Sequence, residues 1–333
     1  MPAQLDRDGS AVPPSRISVL AGGIGGARFL RGLLAQVGPE TEVTVIGNTG
    51  DDIWLHGLRI CPDLDTVMYT LGGGISEERG WGREDETFTV KDELAAYGVE
   101  PSWFGLGDRD IGTHLVRTQM LNAGYPLSAV TEALCTRWQP GVRLIPMTDD
   151  RAETHVIVED PARRALHFQE WWVRYRAEIP AREIVLVGAE DAKPAPGVTE
   201  AIEAADIVLL PPSNPVVSVG TILQVPGIRE SLLATAAPVI GVSPIVGGRP
   251  VRGMADACLA AIGVETSALA VAAHYGARGS GGILDGWLVD SGDADAVGAV
   301  EALGIPCRAR PLLMTDLPAT SAIAAEALDL GVR

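Results

Sequence analysis

Apolar positions along the chain follow two rhythms. Short uncharged runs end in Gly, Pro or Ser, and longer stretches repeat their apolar residues every three or four positions. The first run, RISVLAGG, carries no charge from Ile17 to Leu20 and predicts a strand buried on both faces. From Ile24 the spacing turns helical, with Phe29, Leu30, Leu33, Leu34 and Val37 on one side and Gly38-Pro39 as the stop. EVTVIGN then reads as a second strand, which completes a right-handed βαβ unit. EIVLVGA (183–189), ADIVLLPPSNP (205–215), APVIGVSPIVGG (237–248) and DGWLVD (285–290) repeat the strand pattern, with helical stretches such as GIRESLLATA between them. The middle differs: THLVRTQMLNAG and PLSAVTEALCTRW predict two amphipathic helices, and THVIVED with RALHFQEWWVRY predicts a hairpin whose second strand is aromatic. The expected fold class is α/β: a Rossmann-like, doubly wound, mostly parallel sheet with a mixed helical and β insertion. Residues 1–15, polar and Pro-rich, are expected as a disordered tail. Residues 16–333 are expected as a single domain, its core at about 16–60 and 183–333 and its insertion at about 61–182.

Composition narrows the function. A net charge of −17 over 333 residues argues against a nucleic-acid surface, which needs clustered Lys and Arg. An acidic protein binds phosphorylated small molecules through backbone amides, a few placed arginines or a metal ion. The four cysteines (Cys61, Cys135, Cys258, Cys307) show no zinc or redox spacing. No apolar run reaches membrane length and the start lacks a signal-peptide core, so a cytoplasmic protein without membrane partners is expected.

The candidate chemistry lies early in the chain. AGGIGGAR sits where strand gives way to helix, so Gly22, Gly23, Gly25 and Gly26 would bring backbone amides and the helix dipole to an anion. Arg28 stands in the first helical turn, where a cation opposes the dipole, and is assigned to phosphate. The GxGxxG match is incomplete, and Gly47-Asn48 occupies the place of a ribose-binding acid, which counts against a nicotinamide dehydrogenase. Acid pairs follow in NTGDD (Asp51, Asp52), CPDLD (Asp63, Asp65), GLGDRD (Asp108, Asp110) and PMTDD (Asp149, Asp150). Any one such pair is most simply a cap or solvated loop. Together, beside an anion site, they point to Mg²⁺, which lets acids and phosphates share a cleft. On a helix Asp63 and Asp65 diverge, leaving Asp65 to reach the substrate. Ser213, Asn214 and Ser243 follow other strands, Trp81 and Arg83 lie in a Gly-rich loop that could cover a planar ligand, and His114 is the one histidine given a role.

These stretches, GGIGGARFL, NTGDDIWLHGLRICPDLDT, GWGREDETF, LGDRDIGTHLVRTQMLNAGYPL, MTDD, HFQEW, PPSNPVVSVG and VSPIVGG, resemble the CofD family along nearly the whole chain from about Ile17, and most closely its actinobacterial branch. The resemblance implies a transferase of coenzyme F-420 biosynthesis that joins the deazaflavin alcohol Fo to a phosphorylated three-carbon acid carried on GDP, releasing GMP. It implies phosphoenolpyruvate as that acid in actinobacteria and 2-phospho-L-lactate in archaea, Mg²⁺ as cofactor, and a homodimer. Carried over by motif, Asp65 contacts Fo, with Asn48, Trp81, Asp108, Arg109 and His114 expected on the same side. Asp51, Asp52 and Asp65 are the expected metal and catalytic acids, and the glycine turn, Arg28, Ser213, Asn214 and Ser243 line the nucleotide. The alternative is a CofD-like regulatory factor that binds a sugar nucleotide.

Overall fold

A computed structural model describes residues 14–332; the expected tail lies outside them up to residue 13. In chain order the strands are β1 (Arg16–Ala21), β2 (Glu42–Gly47), the hairpin β3 (Ile53–Leu55) and β4 (Leu58–Ile60), β5 (Arg143–Pro146), β6 (Glu153–Glu159), β7 (Arg163–His167) and β8 (Ala181–Val187). They continue with β9 (Ile207–Leu210), β10 (Val239–Val242), the small hairpin β11 (Ile245–Val246) and β12 (Arg249–Pro250), β13 (Gly286–Asp290) and β14 (Cys307–Arg310). Seven of them form one sheet in the order β14-β13-β10-β9-β1-β2-β5, with every neighbouring pair parallel. From β1 the chain moves outward to β2 and β5 on one side, and later builds β9, β10, β13 and β14 on the other. The strand order therefore reverses between β1 and β9, and the carboxyl ends of those two strands flank the crevice where open α/β sheets bind ligands.

Alternate residues of the sheet feed two cores, as the two-residue period of a strand requires. Leu20, Val208, Leu210 and Val239 face one, with Trp171, Tyr275 and Trp287. Val19, Val45, Leu209 and Ile240 face the other, against Phe29, Leu30 and Leu33 of α1 (Gly23–Gln36) and Leu64, Val67 and Met68 of α2 (Pro62–Leu71). Burial on both faces is why these strands read as uninterrupted apolar runs. Between α2 and β5 come α3 (Thr89–Ala96), α4 (Asp108–Asn122) and α5 (Leu127–Trp138), the last two being the amphipathic pair the sequence predicts.

Two segments fall on the other side of the expected boundary between core and insertion. β5, expected within the insertion, is the edge strand of the main sheet beside β2. β8, expected in the core, pairs antiparallel with β6 in a separate sheet ordered β7-β6-β8. An apolar run declares a strand but not the sheet that it joins. The predicted hairpin of β6 and β7 forms, but its aromatic strand stops at His167. Residues Glu170–Arg174 wind as a π-helix that buries Trp171, whose indole N–H donates to the Ile179 carbonyl at 2.7 Å. β14, CRAR, was masked by its two arginines, which an edge strand tolerates.

Candidate active site

A cavity of about 820 Å³ opens at the carboxyl ends of β1 and β9. Its floor is the turn Gly22–Gly25 after β1 and the loop Pro212–Asn214 after β9. Ser213 joins them: its Oγ donates to the Gly22 carbonyl at 2.8 Å and accepts from the Gly22 amide at 3.2 Å. A Cβ on Gly25 would overlap the Pro212 carbonyl oxygen, and one on Gly22 would overlap an Asp63 carboxylate oxygen. Absence of a side chain is thus what lets two loops and an acid converge at the start of α1. That 14-residue helix has no side-chain N-cap and no acid in its own first turn, and the Asp63 carboxylate of α2 approaches its Gly23 amide from outside. Arg28 and Arg252 line the cavity nearby, as does Arg176. Burial first, and then the neighbouring charge of Arg252, lower the Arg28 pKa, so an anion between these guanidiniums relieves an existing repulsion.

The opposite chemistry is packed against this end. α2 starts at Pro62, which puts Asp63 and Asp65 in its first turn, and both line the cavity with Asp51. The two acids of α2 diverge, but Asp65 is not alone in reaching the cleft as the sequence suggested. Asp63 turns toward Asp51, and one buried amide serves both: Asn48 Nδ2 lies 2.9 Å from Asp63 Oδ2, 3.2 Å from Asp51 Oδ1 and 3.1 Å from the Val217 carbonyl. Gln169 Nε2 donates to the other Asp51 oxygen at 3.0 Å. Burial, only partly countered by the Asn48 amide, pushes Asp63 up to about 6. Burial followed by the charge of Asp63 drives Asp51 well above the ordinary range. Among the described residues neither acid is paired with a Lys, Arg or His. Two buried, mutually repelling carboxylates with hard oxygen donors and no cationic side chain between them fit a divalent ion such as Mg²⁺.

Asp65 turns the other way. Arg117, wholly buried on α4, donates to its Oδ1, while Oδ2 has no hydrogen-bond partner. Asp110, also from α4, accepts from the Tyr69 hydroxyl at 2.6 Å and lies 3.4 Å from His114 Nε2. Burial raises the Asp65 pKa against the pull of Arg117. At Asp110 burial is the largest single influence and pushes upward, but His114, the Tyr69 hydroxyl and Arg117 together outweigh it, and the pKa ends below the ordinary value. Ligand atoms of Asp65, Asp110 and His114 lie within 4.8 Å of one another, close enough to share an ion. Here, however, the Arg117 guanidinium already supplies the positive charge.

The remaining predicted residues divide. Trp81 stands half exposed in the cavity lining with Ser213, Asn214 and Ser243; Asn214 and Ser243 use their side-chain oxygens to hold their own turns, and Ser213 uses its to hold Gly22. Gly26 packs on Ala21 and Ser213 instead of lining the cavity. Asp52, expected at the metal, is buried outside the cavity in an ion pair with Arg59 at 3.0 Å. Asn48 lies beneath the acids, and His114 behind them. Asp108 and Arg109, expected at the substrate, are turned away: Asp108 accepts from the Thr89 and Val90 amides at 3.0 Å, and Arg109 lies 3.8 Å from Asp85. Helical period explains this, since α4 begins at Asp108 and points Asp110 and His114, one turn apart, to the same side. Asp63, Asp110, Tyr69, Arg176 and Arg252 line the cavity beyond the expected site residues. The acid pairs contained the first two, but only the register of α2 and α4 selects them. Phe104, Phe168 and Trp172 complete an apolar wall suited to a planar ligand.

The family model described as 2-phospho-L-lactate transferase CofD matches residues 17–302. The chain belongs to the CofD family. Its CofD relatives include proteins named phosphoenolpyruvate transferase from Streptomyces coelicolor, 71% identical over 95% of this chain and 98% of the relative. One from Thermobifida fusca is 67% identical over 95% and 98%, and one from Mycolicibacterium smegmatis 60% identical over 95% and 98%. A crystal structure of a Bacillus halodurans protein shares the fold with a TM-score of 0.61 at 19% identity, over 94% of this chain and 99% of that one. As a CofD protein with such relatives, the chain is a transferase.

Proposed function

We propose that this protein transfers a phosphoenolpyruvyl group from a GDP-linked donor, enolpyruvyl-diphospho-guanosine, to the terminal ribityl hydroxyl of Fo. GMP leaves and dehydro-coenzyme F-420-0 forms. The observation that carries the reading is the meeting, in one cavity at the strand-order reversal, of an anion-binding end and a wall of buried carboxylates. Relatives 60–71% identical that are named phosphoenolpyruvate transferase favour the enol donor over the 2-phospholactyl one. The reading includes a cytoplasmic homodimer with no nucleic-acid or membrane partner.

In this scheme the amides of the α1 turn, Arg28 and Arg252 bind the diphosphate, and the wall of Phe104, Phe168, Trp172 and Trp81 receives the flat deazaflavin. Asp51 and Asp63 hold Mg²⁺, in place of the expected Asp51, Asp52 and Asp65. The bound ion supplies neutralisation of phosphoryl charge. Asp65 Oδ2, free of any protein donor, accepts the hydrogen bond and then the proton of the ribityl hydroxyl. The hydroxyl oxygen bonds to the phosphorus that bears the enolpyruvyl group, and the bond from that phosphorus to the bridging oxygen breaks toward GMP. Positioning and charge placement provide most of the acceleration in such transfers.

Product mass after mixing the protein, Fo, Mg²⁺ and each GDP-linked donor tests this reading. The enol product is expected, lighter by two hydrogen atoms than the phospholactyl product. Binding of a sugar nucleotide without turnover of Fo would instead support the regulatory alternative.

A further inference from the structure

Arg117 sits on the inward face of α4 with a relative exposure of 2%. Its guanidinium spreads over three acceptors: Nη2 donates to Asp65 Oδ1, and Nη1 donates to His114 Nδ1 at 3.0 Å and to the Arg59 carbonyl at 3.4 Å. Arginine stays protonated and only donates, so His114 Nδ1 must present its lone pair. The ring proton of neutral His114 is then on Nε2, which lies 3.4 Å from Asp110 Oδ2. Asp110 is itself fixed through its other oxygen by the Tyr69 hydroxyl. From Arg117 a set of donors thus runs to Asp65 on α2 and to His114 on α4, while the His114 Nε2 approach to Asp110 is not a hydrogen bond. The set takes one Asp65 oxygen and leaves the other, which is buried and without a partner, in a side chain that lines the cavity.

Stability alone gives a poor account of this arrangement. Desolvating a guanidinium and two carboxylates usually costs as much as their attraction returns, and an apolar trio of similar volume would pack as well. A rigid planar fork does what an apolar residue cannot: it fixes the rotation of a carboxylate about its own axis. We infer that Arg117 is the positioning residue of the transfer, taking one oxygen of Asp65 so that the other faces the acceptor hydroxyl, with His114 in its Nε2–H form holding the second arm of the fork. The inference rests on the role given to Asp65 in the proposed transfer.

Arg117→Met, Arg117→Lys, and each of these combined with Asp65→Asn test it. With Fo and the GDP-linked donor, Arg117→Met is expected to lower kcat about 100-fold or more while the donor KM stays within about threefold, and Arg117→Lys to regain about tenfold. In the Asp65→Asn background the same changes are expected to alter the residual rate less than about threefold, because no carboxylate is left to place. Crystals of Arg117→Met are expected to show the Asp65 carboxylate rotated from its position in the wild type. An unchanged kcat, an equal loss in both backgrounds, or an unmoved Asp65 overturns the inference. If Arg117→Met does not fold, Arg117→Lys carries both the kinetic and the crystallographic comparison. A wild-type protein that makes no product refutes the proposed transfer, and the position of Asp65 in the variant crystals still decides the role of Arg117.

Discussion

Asp63 and Asp65 are two residues apart and experience different physics. Asp63 shares a buried amide with Asp51 and has no counter-charge, whereas Asp65 has a guanidinium. Asp63 is held at about 6 by burial, above its ordinary value near 4, so the metal-free folded state binds its proton more tightly than the unfolded chain does. Stability from this group is therefore present below about pH 4, is lost as the pH rises to about 6, and remains lost above that. Metal-free Asp63→Asn should accordingly melt higher than wild type at pH 8, by on the order of 2–3 kcal/mol, and little differently at pH 4. Mg²⁺ should raise the wild-type melting temperature at pH 8 and leave the variant nearly unmoved, as calorimetry can show. At Asp65 the informative change is to Asn, which still accepts from Arg117; Asp65→Ala strands a buried guanidinium and should cost about 3–5 kcal/mol in a denaturant melt. Asp65→Asn, which keeps the hydrogen bond and loses the charge, should cost less than Asp65→Ala in the same melt and lose turnover by roughly 10²–10⁴-fold.

At the scale of elements, two helix starts build the site. α1 has no side-chain cap of its own, and its first turn meets the Asp63 carboxylate from α2 and the loop after β9. Gly25→Ala should push the turn away from the loop after β9 and weaken nucleotide affinity in a titration by at least about tenfold, with the strands of the sheet intact. α4 is capped from outside: the Glu86 carboxylate accepts from the Arg109 and Asp110 amides, both at 2.8 Å. Glu86→Ala should therefore lower stability by about 1 kcal/mol and slow transfer as well, because the first turn of α4 carries Asp110. A cap mutation with no effect on rate would separate Asp110 from the chemistry.

Across the whole molecule, the sequence shows most of the parallel sheet and little of the site's polarity. β1, β2, β9, β10 and β13 were legible because burial on both faces demands uncharged runs, and the strand-to-helix turn after β1 was legible from its glycines. β5 and β8 were misplaced between core and insertion because a strand's own residues do not name its neighbours. The site was legible as a region, since four acid pairs and a glycine turn lie within 150 residues. Which acid faces the cavity depends on where α2 and α4 begin and on which arginine arrives from elsewhere. Asp52 shows this: its companion Arg59 lies seven residues away on β4, and Arg59 also reaches Glu153 of β6 at 3.7 Å, so the pair ties a hairpin to the antiparallel sheet. Arg59→Met should leave Asp52 uncompensated and lower stability by about 3–5 kcal/mol in a denaturant melt.

Ser213 closes the glycine turn from 191 residues further along the chain. On the ribosome, a polypeptide that has emerged only through β5 already contains the turn, Arg28 and every acid of the cleft, yet nothing holds the turn to its other half. The shape of the turn is thereby set only after the chain has been made through the loop that follows β9.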